Sequence, residues 1–380
     1  MATIKMRNLG LVYLNGHVGL DGIELDVRDG EFLALLGPSG SGKTTLLRTI
    51  AGFLRPSAGS LSIDGKDIAG EGMWVPPEKR GLGMVFQDHA IWPHLSVAGN
   101  VGYPLKLSGI PRAHLARRVA EVLEQVGLAE YAKRKPAALS GGQRQRVALA
   151  RAIVASPKAL LLDEALSALD EPLRARLRLE LRALTREQGL TAVHVTHDRA
   201  EALGLADRVV VLNEGRIQQV GTPAELLENP ANSFVASFVS DATLFPGTLV
   251  DGNFHADHPG ARFNKHMEVH RNPGIKFVGV PQTAVSRSRR AVAAVAPTGL
   301  RLEPVENRGI GTTAGRAPLA RVTSALYGRH GYETSVDWAG TALRVLVSGW
   351  VPTEGQLVRP VIESAHVFCE EAGAAEGRAA

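Results

Sequence analysis

Hydrophobic positions near the start of the chain alternate with polar ones, at Ile4 and Met6 and again at Ile23, Leu25 and Val27. A period of two marks half-buried antiparallel strands. The pattern then changes. Phe32-Leu33-Ala34-Leu35-Leu36 is a continuous apolar run ending in glycines, and residues 44–51 follow with helical spacing. Strand, glycine-rich turn and helix in that order open a parallel α/β unit, whose strands are apolar throughout because helices cover both faces. Similar apolar runs lie at residues 159–162, 192–195 and 209–212, separated by helical stretches. Residues 97–156, rich in Ala, Leu, Arg and Glu, predict a mostly helical insertion within this sheet domain. Asn213-Glu214-Gly215 predicts a hairpin leading into a strand over 217–220, and a helix near 224–228 ends at Asn229-Pro230.

Beyond about Asp241 the texture is different. Pro246-Gly247 and Pro297-Thr298-Gly299 punctuate short apolar runs, and residues 334–336, 343–347 and 356–359 alternate as strands do. The chain therefore predicts two domains, an α/β domain over 1–240 with its helical subdomain at 97–156, and a small all-β barrel over 241–370. Residues 371–380 are small and polar and predict a flexible tail.

Composition narrows this picture only a little. The 380 residues are 44% hydrophobic and 21% charged, ordinary for a globular protein and unlike a disordered one. A net charge of +5 is modest for the length. Its arginines fall on helical patterns such as Arg174, Arg176, Arg178 and Arg182, which read as a solvated helix face and predict no nucleic-acid partner. One cysteine, Cys369, excludes an internal disulfide framework. No apolar run reaches the ~20 residues of a spanning helix, and the start lacks the apolar stretch of a signal peptide, so a cytoplasmic setting is expected.

The chemistry-bearing segments sit at the junctions of these elements. Gly37-Pro38-Ser39-Gly40-Ser41-Gly42-Lys43-Thr44, with Thr45 following, is a P-loop between a strand and a helix. Its glycines let backbone N–H groups curl around phosphates, Lys43 reaches the β- and γ-phosphates, and the Thr44 hydroxyl suits Mg²⁺. Leu160-Leu161-Leu162-Asp163-Glu164 is a buried-strand pattern that ends in two carboxylates. Asp163 suits the metal and Glu164 the attacking water, since phosphoryl transfer depends mainly on positioning and charge stabilisation. Leu139-Ser140-Gly141-Gly142-Gln143 precedes another helical stretch, and on physical grounds it is only an N-cap with a flexible turn.

That last segment resembles the signature motif of ABC ATPases, and other motifs then align in order. Gln87, within Val85-Phe86-Gln87-Asp88, resembles the Q-loop glutamine, implying a Mg²⁺ and water contact. Ser167-Ala168-Leu169-Asp170 is similar to the D-loop, placing Asp170 near nucleotide. His197, in Val195-Thr196-His197-Asp198, resembles the switch histidine that contacts the γ-phosphate, and Tyr13 fits the aromatic that stacks on adenine. His194, on the same strand pattern as His197, reads as structural. Ala165 stands where many importer relatives have proline.

The stretch from Phe86 through Trp92 to Val97 resembles bacterial importer ATPases of the group handling ferric iron, polyamines, sugars, phosphonates and sulfate. In that group an OB-like TOBE barrel follows the P-loop NTPase domain. Ala296-Pro297-Thr298-Gly299-Leu300 departs from the Arg-Pro-Glu stretch often found in such barrels. The resemblance implies an ATPase using ATP and Mg²⁺ at the cytoplasmic face of the inner membrane. It also implies a homodimer whose signature residues Ser140, Gly141, Gly142 and Gln143 complete the partner's site. Its other partners would be integral-membrane permease subunits and, indirectly, an extracytoplasmic solute-binding protein. The cargo leans towards ferric iron or a polyamine. A non-transport ABC-type ATPase and a nucleotide-gated regulatory module are the competing readings.

Overall fold

The computed structural model describes residues 2–166, 171–250, 253–260, 275–278, 289–305, 318–328 and 330–369. The chain folds as two compact units, Met1–Pro223 and Ala224–Ala380.

In the first unit, strands β1 (Ile4–Val12), β2 (Val18–Val27), β4 (Ala58–Ile63), β5 (Lys66–Gly70) and β6 (Met73–Trp74) form an antiparallel sheet in the order β2-β1-β4-β5-β6. A second sheet has the order β11-β10-β3-β9-β8-β7, from β3 (Phe32–Leu36), β7 (Gly83–Val85), β8 (Ala159–Asp163), β9 (Thr191–Val195), β10 (Arg208–Asn213) and β11 (Arg216–Gly221). Strands β10, β3, β9, β8 and β7 are mutually parallel, and β11 returns antiparallel through the hairpin. Every residue of β3, β8 and β9 is buried, which explains why these strands read as unbroken apolar runs.

Helix α1 (Lys43–Ala51) fills the space between the two sheets. Its Leu46, Leu47 and Ile50 share one core with Ile4, Met6 and Leu25 of the antiparallel sheet and Leu35, Leu161 and Val193 of the parallel one. The stretch read as helical carries α2 (Val97–Leu107), α3 (Arg112–Gln125) and α4 (Gly141–Ile153), with α2 packing on both of the others. Helices α5 (Glu171–Glu187) and α6 (Arg199–Leu205) complete the unit.

Helix α7 (Pro223–Glu228), expected within the first domain over 1–240, starts where the contacts divide the chain, after Pro223, and it is followed by α8 (Ser233–Ser240), which the sequence pattern does not mark. The reason is packing. α8 buries Val235, Ala236 and Val239, and Ala236 shares a small cluster with Ala242, Ala294 and Phe368 of the β-rich unit. That unit has β12 (Thr243–Val250), β13 (Asn253–Ala256), β14 (Ile275–Val278), β15 (Arg289–Val295), β16 (Leu300–Pro304), β17 (Ala320–Gly328), β18 (Gly331–Trp338), β19 (Thr341–Val347), β20 (Leu357–Ile362) and β21 (Ala365–Cys369). They form two five-stranded sheets, β13-β12-β15-β21-β14 and β16-β20-β17-β18-β19. Phe245, Val295 and Val367 of the first sheet meet Val322, Trp338 and Val358 of the second in a shared core. The departure at residues 297–299 forms a tight 3₁₀ turn, where the Gly299 carbonyl accepts the Glu363 N–H at 2.8 Å. The proposed tail at 371–380 lies outside the described residues.

Among the described residues no helix is long and apolar enough to cross a membrane.

Candidate functional site

The carboxyl ends of four neighbouring parallel strands converge at one edge of the second sheet. In open parallel sheets, ligands bind beyond this edge, because the loops there are free to diverge from the strands. β3 delivers the P-loop, β7 leads to Gln87, β8 ends at Asp163 and Glu164, and β9 leads to His197.

The P-loop is pinned from behind. A Cβ on Gly37 would stand 2.2 Å from the backbone oxygen of Leu212 at the end of β10, so the neighbouring strand admits only glycine there. The hairpin after β10 braces the loop further, with Gly215 N–H donating to the Ser41 carbonyl at 3.1 Å. Helix α1 starts after Gly42 with no side-chain cap, so its first N–H groups have no side-chain acceptor. Lys43 is buried, and its ammonium donates to the carbonyls of Gly37 (2.8 Å) and Pro38 (2.7 Å) and to the Ser41 hydroxyl (3.3 Å). Burial pulls its pKa below the ordinary lysine value, while Glu164 pushes it back.

Glu164 is held in a left-handed turn at φ 47°, where its N–H donates to the Val195 carbonyl at 3.0 Å. Its side chain gathers two other predicted residues: Gln87 Nε2 donates to Oε2 at 2.9 Å, and His197 Nδ1 lies 3.7 Å from Oε1. Asp163 is buried at the strand end, 3.8 Å from the Arg48 guanidinium of α1. Burial pushes its carboxyl above the ordinary range; Arg48 opposes that shift and Glu164 adds to it. His194 faces the interior instead, edge-on to Phe32 and 3.3 Å from the buried Glu201.

Tyr13 follows β1, and its hydroxyl shares a 2.9 Å hydrogen bond with Thr45. His17 lies parallel to the Tyr13 ring, with the ring centroids 6.0 Å apart.

Ser140 and Gln143 sit elsewhere in the unit, at the start of α4. They cap each other: Gln143 N–H donates to the Ser140 hydroxyl, and Ser140 N–H donates to Gln143 Oε1 at 2.9 Å. Gly142 packs on Leu173 of α5. Residues 167–170, including Asp170, lie outside the described residues.

Sequence reading missed three supports. Arg48 faces Asp163 from the P-loop helix. Arg174 and Arg178 of α5 lie 3.6 and 3.0 Å from Asp198, the N-cap of α6 beside His197. Arg151 of α4 donates to the carbonyls of His89 (2.8 Å) and Ala90, two residues with positive φ just after Gln87. Only the helical spacing of the arginines hinted at them, and their partners lie far away in sequence.

Parallel sheet, glycine loop and strand-end carboxylates define a P-loop NTPase fold. The family profile described as ABC transporter matches residues 20–167. The chain is 50% identical over 248 residues to the spermidine/putrescine import ATP-binding protein PotA of Thermobifida fusca, covering 64% of each chain. It is 45% identical over 254 residues to the sn-glycerol-3-phosphate import ATP-binding protein UgpC of Vibrio cholerae, covering 66% of this chain and 67% of that one. A solved dimeric ATP-binding cassette in a post-hydrolysis state, bound to ADP and Pi, superposes with a TM-score of 0.51 at 32% identity, covering 58% of this chain and 98% of that one. The chain belongs to the ABC transporter family. Its match spans 64% of the length of the PotA relative.

Proposed function

We propose that this chain is the ATP-binding and ATP-hydrolysing subunit of an ABC importer, acting as a homodimer on a separate membrane permease. The observation that carries this reading is the meeting of Gln87, Glu164 and His197 beside the P-loop lysine, at the carboxyl edge of one parallel sheet. The relatives named as import ATP-binding proteins support it.

In this reading Lys43 exchanges its loop carbonyls for phosphate oxygens, a charge-assisted interaction stronger than the neutral contacts it replaces. Glu164, oriented by Gln87 on one oxygen and by His197 on the other, receives the attacking water and orients or deprotonates it. His197 contacts the γ-phosphate, and Tyr13 offers its ring to the adenine. Ser39, Gly40, Ser41, Thr44 and Thr45 line the phosphate cradle.

The donors fit Mg²⁺: Thr44, Gln87 and Asp163 all offer oxygen, as a hard cation requires. Among the described residues no group of three or more His, Cys, Asp or Glu side chains converges, which suits a cation that takes its remaining ligands from phosphates and water. When bound, the ion would neutralise charge on the phosphates and lower the pKa of Asp163 that burial has raised.

Ser140, Gly141, Gly142 and Gln143, with Asp170, would complete the site of a second copy, related by a twofold axis. ATP held by both copies favours the closed dimer, and hydrolysis removes that preference. The dimeric solved relative supports this arrangement. The subunit would act peripherally at the inner face of the membrane, fed indirectly by an extracytoplasmic solute-binding protein. A polyamine is the cargo the PotA relative favours over ferric iron.

Glu164→Gln tests the assignment. It should retain ATP binding, lose turnover by about 100-fold or more and accumulate an ATP-bound dimer on size exclusion. Turnover at the level of the unaltered chain would place the catalytic group elsewhere. ATP-bound monomer alone would argue against the twofold site.

A further inference from the structure

His197 lies in a short crossing from strand to helix. Strand β9 ends at Val195 and α6 begins at Arg199, so only Thr196, His197 and Asp198 carry the chain between them. The imidazole side chain is 64% exposed, so packing does little to aim it. The backbone on either side of it is fastened instead. Thr196 is buried, and its N–H donates to the Leu35 carbonyl of β3 at 3.3 Å. Its hydroxyl accepts the Asp198 N–H at 3.0 Å, closing a side-chain turn across His197. Asp198 in turn accepts the Glu201 N–H on Oδ1 at 3.0 Å and Arg178 on Oδ2 at 3.0 Å.

A threonine hydroxyl has one proton and two lone pairs, and the direction of the proton sets where the lone pairs point. Here the proton goes to Glu201 Oε2, which leaves a lone pair for the Asp198 N–H. Glu201, in α6, is only 3% exposed, and its Oε1 stands 3.3 Å from His194 Nε2 of β9. Burial pushes the Glu201 carboxyl up, but His194, the Thr196 hydroxyl and Arg178 together hold it below the ordinary carboxylate range. The group is therefore a charged acceptor behind the turn. A buried carboxylate is costly where an aliphatic side chain would not be, and fixing the Thr196 hydroxyl is what this one does with its charge. Glu164 is referenced to the same strand end, since its N–H donates to the Val195 carbonyl at 3.0 Å, one residue before Thr196.

We propose that Glu201 is a positioning residue for His197. Acting through the Thr196 hydroxyl, it holds the turn across the histidine so that the imidazole stays beside Glu164, whose Oε1 lies 3.7 Å from His197 Nδ1. The inference rests on the role given to His197 under the proposed function and adds the device that sets its aim.

The test uses the full chain, with ATP affinity read by equilibrium titration. Hydrolysis is read by single turnover with the chain in excess of labelled ATP, which resolves slow variants. Thr196→Val removes the hydroxyl at nearly constant volume. It should slow hydrolysis about tenfold or more while changing ATP affinity by less than about twofold. Glu201→Leu should do the same. Thr196→Ser keeps the hydroxyl and Glu201→Gln keeps a carbonyl acceptor, so each should remain within about threefold of the unaltered chain. In a His197→Ala background, Thr196→Val should slow hydrolysis by less than about twofold further, because both changes act through one imidazole. A merely structural role gives another pattern, in which affinity falls with rate and Thr196→Val costs the same factor in both backgrounds. That pattern, or undiminished hydrolysis by Thr196→Val, would overturn the proposal. If His197→Ala hydrolysed ATP as fast as the unaltered chain, the histidine's own role would fail, and the positioning role with it. Slow His197→Ala beside fast Thr196→Val would sink the positioning role alone. Should Glu201→Leu not fold, the two threonine variants and the double variant still decide.

Discussion

The P-loop and the signature loop are both glycine-rich starts of helices, yet they are built on opposite principles. At the P-loop, α1 begins with no side-chain cap, and the lysine turns back onto the loop's own carbonyls. At the signature loop, Ser140 and Gln143 satisfy each other's backbone in a capping box. The glycines differ in the same sense. A Cβ on Gly37 meets the backbone oxygen of Leu212 at 2.2 Å, whereas one on Gly142 meets only the end of the Leu173 side chain at 2.7 Å. One loop is rigidly held, and its helix start carries no side-chain cap. The other is locally content and yields to a neighbour. A loop of the first kind declares its ligand within one chain; a loop of the second kind does not.

The largest expected effect removes the group that most distinguishes the first loop. Lys43→Ala should weaken ATP binding to the monomer by about 100-fold or more, the loss of charge-assisted phosphate contacts, as read by equilibrium titration. Undiminished affinity would erase the contrast between the loops.

Next in size is a matched pair of glycine changes. Gly37→Ala should destabilise the chain by about 2–3 kcal/mol, since the strand backbone it strikes cannot rotate away. Gly142→Ala should cost less than about 1 kcal/mol, because Leu173 can change rotamer. Chemical denaturation measures both, and equal losses would mean the two loops are held alike.

A third test concerns charge at the P-loop side. Burial holds the Asp163 pKa above its unfolded value. Between those two values the folded chain keeps a proton that the unfolded chain has released. This contribution to stability is therefore present on the acid side and lost as pH rises through the window. Above it the buried carboxylate is a net cost in the ligand-free chain. Asp163→Asn should flatten that slope and raise the neutral-pH Tm of the free chain, while removing the further stabilisation that Mg²⁺ and ATP give the unaltered one. A Tm that falls would mean that Arg48 outweighs burial.

How far these features could be read in the sequence follows from how local their causes are. Strands β3, β8 and β9 were legible because both faces are covered, so every position is apolar. The β-rich unit was only partly so. Strand β12 contains Pro246, and β13 is four residues with one buried, so neither carries a clean alternation. Helix α8 left no mark in the sequence pattern as part of the β-rich unit, because Ala294 and Phe368, the partners of its Ala236, come much later in the chain. At the site, the P-loop and the strand-end carboxylates announced themselves through spacing. Arg48 opposite Asp163 and Arg151 beneath His89 did not, since each pair spans more than sixty residues. The signature loop took its meaning from family resemblance, and its capping box explains why: its residue types are those of any well-capped helix.

The smallest effect is also the sharpest separation of the two loops. Ser140→Ala deletes the hydroxyl that accepts the Gln143 N–H, and the loss of such a cap costs about 1 kcal/mol. Gln143 Oε1 can still accept the Ser140-position N–H, so α4 should keep its start and the monomer its fold. Monomer affinity for ATP should be unchanged, because the Ser140 bonds run within its own helix start and not to the P-loop. Dimer formation by the Glu164→Gln background should instead weaken, as the partner's nucleotide loses one donor. If Ser140→Ala reduced monomer affinity as Lys43→Ala does, the signature loop would belong to the site of its own chain, and the contrast between a self-declaring loop and a partner-dependent one would fail.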